Sequence, residues 1–163
     1  MAAKANRTPP PQLREILTAC ADVPRWVELV LTGRPYADDA ALLATATAAA
    51  DGFTPDEIDR ALAAHPRIGD RPAGGSTEAG WSRREQAGVA DDRATADALR
   101  AANAQYEDRF GRVFLICASG LSAPQILQAA QHRLRNDPDT ELGVVGAELA
   151  KIALLRLEKA LAW

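Results

Sequence analysis

Two histidines, His65 and His132, are the only imidazoles in this chain of 163 residues, so acid/base chemistry near neutral pH has two carriers. His65 has the more constrained setting, Ala64-His65-Pro66-Arg67-Ile68-Gly69-Asp70, where proline follows the imidazole directly. A second group of interest is Ser82-Arg83-Arg84-Glu85-Gln86, whose Glu85 could orient and tune an imidazole for proton transfer. A third is Arg156, which takes the next place in the apolar series Leu142, Val145, Leu149, Ile152. A guanidinium there must pair with an internal carboxylate or reach a cavity and bind an anion. Finally, Val113-Phe114-Leu115-Ile116-Cys117-Ala118 could offer backbone N–H and C=O groups to a planar, amide-rich ligand.

Each group also has a purely structural account. Ile58, Ala61, Leu62 and His65 share one face of the helix that Thr54-Pro55-Asp56-Glu57 opens with a capping box, so His65 could be a core histidine at that helix's C-terminal end. Ser82 with Glu85 matches a second capping box, S-x-x-E. Asn103, Tyr106, Arg109 and Phe110 follow at helical spacing, and the apolar run after Gly111 reads equally as a buried strand or the first turn of a buried helix. Arg133 and Arg135, near a helix end, read as surface residues favoured by the helix dipole.

The elements that must hold these residues are helical. Residues 12–32 form two short helices meeting at Pro24, and Asp38 or Asp39 caps an alanine-rich helix ending near Asp51-Gly52. Gly69 to Gly80, with Pro72 and Gly74-Gly75, reads as an irregular loop. Helix signals return at Ser82, run to Gly88, and resume from about Asp91 to Phe110 with Gly111 as the C-cap. Ser122-Ala123-Pro124-Gln125 opens a helix to about Arg135, and Asp137-Pro138 opens a last one reaching Leu161. The expectation is an all-α, single-domain bundle of about seven to nine helices over residues 12–163, preceded by a flexible segment, 1–11.

Composition narrows the function classes. Apolar residues make up 47%, charged 25% and aromatic 5%, and the net charge of −3 argues against nucleic-acid or anionic-membrane partners. A small molecule is the expected partner. Cys20 and Cys117 lack metal-ligand spacing and read as reduced thiols of a cytoplasmic protein, with no metal site. No apolar run of about 18 residues offers a membrane span. Nucleotide loops, nucleophile elbows and zinc-binding HExxH helices are all missing from the sequence.

Taken in order, His65-Pro66-Arg67-Ile68-Gly69, Ser82-x-x-Glu85-Gln86, Asn103-x-x-Tyr106-x-x-x-Phe110-Gly111 and Lys151-Ile152-x-x-x-Arg156-Leu157 resemble the 2-oxo-4-hydroxy-4-carboxy-5-ureidoimidazoline (OHCU) decarboxylase family. The resemblance spans residues 12 to 161. It implies an all-helical fold and a cofactor-free step of urate degradation, in which a ureidoimidazoline loses CO2 to give (S)-allantoin. It further implies His65 and Glu85 as the catalytic pair. Pro66, Ser82, Gln86 and Arg156 would be substrate-binding positions, and Phe114, Leu115, Ile116 and Ala118 would supply contacts to the ring. Several members are dimers, so a homodimer is an expected assembly. Many relatives carry an aromatic residue or proline where this chain has Arg112-Val113. The competing reading is a non-catalytic helical binding module with the same fold.

Overall fold

Side-chain caps set the starts of five of the described helices. Asp38 accepts from the Ala41 amide, Asp92 from Thr95, Asp137 from Thr140 and Ser122 from Gln125, each three residues on and each taking up an amide the helix leaves unpaired. Thr54 and Glu57 form the expected reciprocal pair, at 2.9 Å and 3.3 Å.

The computed structural model describes residues 3–69, 77–85 and 92–162. Among these are eight α-helices: α1 (Pro10–Cys20), α2 (Pro24–Thr32), α3 (Asp39–Ala50), α4 (Pro55–Leu62), α5 (Thr77–Glu85), α6 (Arg93–Phe110), α7 (Ala123–Arg133) and α8 (Pro138–Leu161). No strand occurs among the described residues, and no helix there is long and apolar enough to cross a membrane. The fold is all-α. Ahead of α1, where the polar, proline-rich sequence suggests a flexible lead, Lys4–Asn6 makes a short 3-10 turn with Ala3 and Ala5 fully buried. Asn6 exchanges hydrogen bonds with the Tyr36 backbone at 2.7 and 2.9 Å.

The helices divide into two compact units, Met1–Ala61 with Leu149–Trp163 and Leu62–Glu148. In the first, α1 packs on α2 and α2 on α3. Trp26 is fully buried and its indole N–H donates to the Ala46 carbonyl at 2.9 Å, which ties α2 to α3. In the second, α6 packs on α7. Its core gathers Ile68, Leu99, Tyr106, Phe114, Ala118 and Ile126, so the turn after His65, the helix α6, the segment after Gly111 and α7 share one apolar cluster.

Three local expectations are corrected. α4 stops at Leu62, three residues before His65, and the His65 amide closes a turn onto the Leu62 carbonyl at 2.9 Å. The residue before proline avoids helical geometry, and here the unwinding starts earlier than Pro66 requires. α5 begins at Thr77, so the stretch Thr77 to Gly80 is helical and not loop; the remaining loop positions 70–76 lie outside the described residues. From Val113 to Ala118 the chain is neither helix nor strand, because α6 ends in a left-handed Gly111 (φ 68°) and no neighbouring strand exists to pair with among the described residues.

Candidate active site

His65 sits in the turn between α4 and Ile68, half-buried, with its Nε2 shielded from solvent. His132 is exposed on α7, where its Nδ1 lies 2.9 Å from Arg135 Nη2. Only His65 has the enclosed surroundings that proton transfer to a bound ligand needs.

The turn carrying His65 is held through the residues that follow Pro66. Ile68 is buried in the second unit's core, and its carbonyl accepts from Asn103 Nδ2 at 2.9 Å. Arg67 makes a two-pronged ion pair with Glu107, Nε to Oε1 at 2.5 Å and Nη2 to Oε2 at 2.9 Å, which holds the Glu107 carboxyl below its usual range. Asn103 and Glu107 are one turn apart on α6. Gly69 then leaves the turn at φ +92°, a backbone angle that side-chain-bearing residues rarely adopt.

Ser82 is the sixth residue of α5 and is buried, and Glu85 is its last residue and half-buried. Ser82 therefore caps no helix, and the S-x-x-E match is not a capping box. Gln86 lies outside the described residues. Of the remaining expected site residues, Pro66 is half-buried, Phe114, Leu115 and Ala118 are buried, and Ile116 is half-buried. His65, Pro66, Ser82, Glu85 and the 114–118 segment all belong to the Leu62–Glu148 unit. Arg156 belongs to the other unit, 2% exposed, with Nη1 donating to the Ala19 carbonyl at the end of α1 at 3.3 Å.

Arg133, expected at the surface, is 6% exposed. It pairs with Glu141 of α8 through Nε at 2.8 Å and Nη2 at 2.6 Å, and its Nη1 donates to the Leu115 carbonyl at 2.6 Å. Its guanidinium stacks 4.6 Å from the Phe114 ring. The Tyr106 hydroxyl donates to the same Glu141 oxygen, and Asn136 Nδ2 donates to the other at 2.9 Å. Burial first, and the hydrogen bond to Glu141 second, push the Tyr106 phenol well above its ordinary value. One turn pair further along α8, Glu148 Oε2 accepts from the Cys117 amide at 2.8 Å.

Sequence reasoning passed over Glu141 and Glu148 altogether. Their signal was present: Glu141, Val145 and Glu148 step by four and three along the buried face of α8. Among the described residues, no group of three or more His, Cys, Asp or Glu side chains is gathered as metal ligands would be.

The fold so defined is all-helical, with His65 on a turn, Glu85 on α5 and an irregular segment at 113–118, all within the Leu62–Glu148 unit. The comparisons narrow it. Residues 6–158 match the OHCU decarboxylase family, and the chain belongs to that family. It is 32% identical, over 132 residues, to a 2-oxo-4-hydroxy-4-carboxy-5-ureidoimidazoline decarboxylase of Amia calva, covering 79% of this chain and 75% of that protein. It is 36% identical, over 104 residues, to a uric acid degradation bifunctional protein of Arabidopsis thaliana, covering 61% of this chain and only 32% of that longer protein. The crystal structure of an OHCU decarboxylase in the presence of (S)-allantoin superposes with a TM-score of 0.76 at 25% identity, over 91% of this chain and 99% of that one. An (S)-allantoin synthase shares the fold with a TM-score of 0.68 at 18% identity, over 95% of this chain and 52% of the other.

Proposed function

We propose that this chain decarboxylates 2-oxo-4-hydroxy-4-carboxy-5-ureidoimidazoline in urate degradation, yielding CO2 and (S)-allantoin. The observation that carries the reading is the family match over residues 6–158, which takes in every residue of the proposed site from His65 to Arg156.

The chemistry suits the residues. When the carboxylate leaves as CO2, the electron pair of the broken C–C bond forms a ring C=C bond, and the adjoining C=N passes its π electrons to nitrogen. The ring is its own electron sink. That nitrogen takes a proton from the medium, and the resulting enol then loses its hydroxyl proton and takes one at the neighbouring ring carbon, so the carboxylate is replaced overall by one proton from the medium. Delivery to one face sets the configuration. His65 handles these protons, with Nε2 already shielded from water. Glu85 orients and tunes the imidazole, while Pro66, Ser82, Gln86 and Arg156 fix the substrate's polar groups. Phe114, Leu115, Ile116 and Ala118 line the ring. The same reading includes a cytoplasmic homodimer, whose mass light scattering would measure.

The substrate is generated in place from urate by the two preceding enzymes, and circular dichroism follows the product. Added protein should speed the signal and bias it to one sign. A signal unchanged in rate and sign would sink the assignment.

A further inference from the structure

The segment after Gly111 poses a physical problem. It carries no helical turn from Val113 to Ala118 and pairs with no strand among the described residues, so its backbone groups need other partners. Two buried charged side chains supply them. Arg133 Nη1 reaches the Leu115 carbonyl at 2.6 Å, and Glu148 Oε2 takes the Cys117 amide at 2.8 Å. Arg133 is 6% and Glu148 9% exposed, and they come from different helices, α7 and α8.

The clamped residues are two apart. In an extended chain residues i and i+2 turn their backbone groups to one edge and residue i+1 to the other, and side chains that grip Leu115 and Cys117 but not the residue between them follow that alternation. The residue between the clamps is Ile116, and among the described residues its N–H and C=O engage no hydrogen bond. Charged partners suit this task, because hydrogen bonds to ionised groups are about twice as strong as neutral ones. Arg133 is itself fixed by Glu141, Tyr106 and the Phe114 ring, so the clamp has little freedom.

We infer that Arg133 and Glu148 are positioning residues, which grip the Leu115 carbonyl and Cys117 amide from one edge so that the Ile116 N–H and C=O face the ring amides of the substrate from the other. This rests on the proposed decarboxylase reading. It assigns a role to two residues that touch no substrate.

The test uses the full chain and the coupled circular-dichroism assay. Glu148→Met removes the acceptor at similar volume, and Glu148→Gln keeps an acceptor oxygen. The double variant Arg133→Met/Glu141→Leu removes the other clamp without leaving a buried charge alone. Arg133→Lys keeps the charge beside Glu141 and gives the same readout should those variants fail to fold. The expected result is a KM raised about tenfold or more in Glu148→Met, return to within about threefold of the parent in Glu148→Gln, and an unmoved pH profile of kcat in both. A merely structural role would lower the melting temperature and leave the KM of the folded fraction alone. Folded variants with a KM within about twofold of the parent would overturn the positioning role. A parent chain that does not speed allantoin formation would instead overturn the functional reading, and the positioning role with it.

Discussion

His65 and Gly69 stand four residues apart in one turn, yet they answer to different constraints. His65 is half-buried with a shielded Nε2, and the turn is anchored elsewhere, through Ile68 in the core and through Asn103 and Glu107 on α6. On the proposed mechanism, removing the imidazole should cost chemistry while those anchors keep the turn. His65→Ala should abolish the acceleration of allantoin formation while the far-ultraviolet spectrum and melting temperature stay close to the parent's; full activity would remove His65 from the mechanism. Gly69 is the reverse case. At φ +92° a methyl group strains the backbone, although the nearest atom it would meet, Leu99 Cδ2, is 3.7 Å away in ordinary contact. Gly69→Ala should cost about 1–2 kcal/mol in denaturant unfolding. An unchanged midpoint would show that the turn relaxes to another angle.

Between elements, burial decides which ion pairs matter. Arg67 and Glu107 make good two-pronged geometry, but their side chains are 55% and 24% exposed, so Arg67→Ala should cost no more than about 1 kcal/mol. Arg133 and Glu141 are 7% and 2% exposed, and Arg133→Ala would leave a carboxylate buried among Tyr106 and Asn136 without its cation, at about 3–5 kcal/mol. Equal losses from the two variants, measured by the same unfolding experiment, would refute this ordering. The contrast also marks how far the sequence could be read. Caps at Asp38, Thr54, Ser122 and Asp137 were legible because donor and acceptor lie three residues apart, and the family was legible in the order of its motifs. The start of α5 at Thr77 was hidden by the Gly- and Pro-rich stretch before it and by Gly80 within it. The burial of Arg133 was hidden because it depends on Glu141 across the break between α7 and α8, on Leu115 and on a ring stacked at 4.6 Å, none of which is a local pattern.

Over the whole molecule, the charged groups set the pH range of stability. The carboxyls of Glu57 and Glu107 are lowered, first by hydrogen bonds from Arg25 and Arg67, so the folded chain binds fewer protons there than the unfolded one. Their contribution is complete above the unfolded value near 4.5 and is lost as pH falls through the lower folded value. The alkaline side rests on the chain's two tyrosines. Tyr36, in the first compact unit, is raised by burial, and its hydroxyl donates to the Val30 carbonyl at 2.8 Å. Tyr106, in the second, is raised by burial and by Glu141. A phenol raised above its unfolded value of 10.0 stabilises the fold fully below that value, and this contribution is lost as pH rises through the folded value. Stability should accordingly hold level from about pH 5 to 9 and fall on both sides. Tyrosinate absorbance should stay absent as the native chain is taken past pH 10.0, then appear for both rings together with the loss of helical signal. A tyrosinate signal that rises near pH 10 while the helical spectrum is intact would mean that at least one of these rings reaches water in the folded protein.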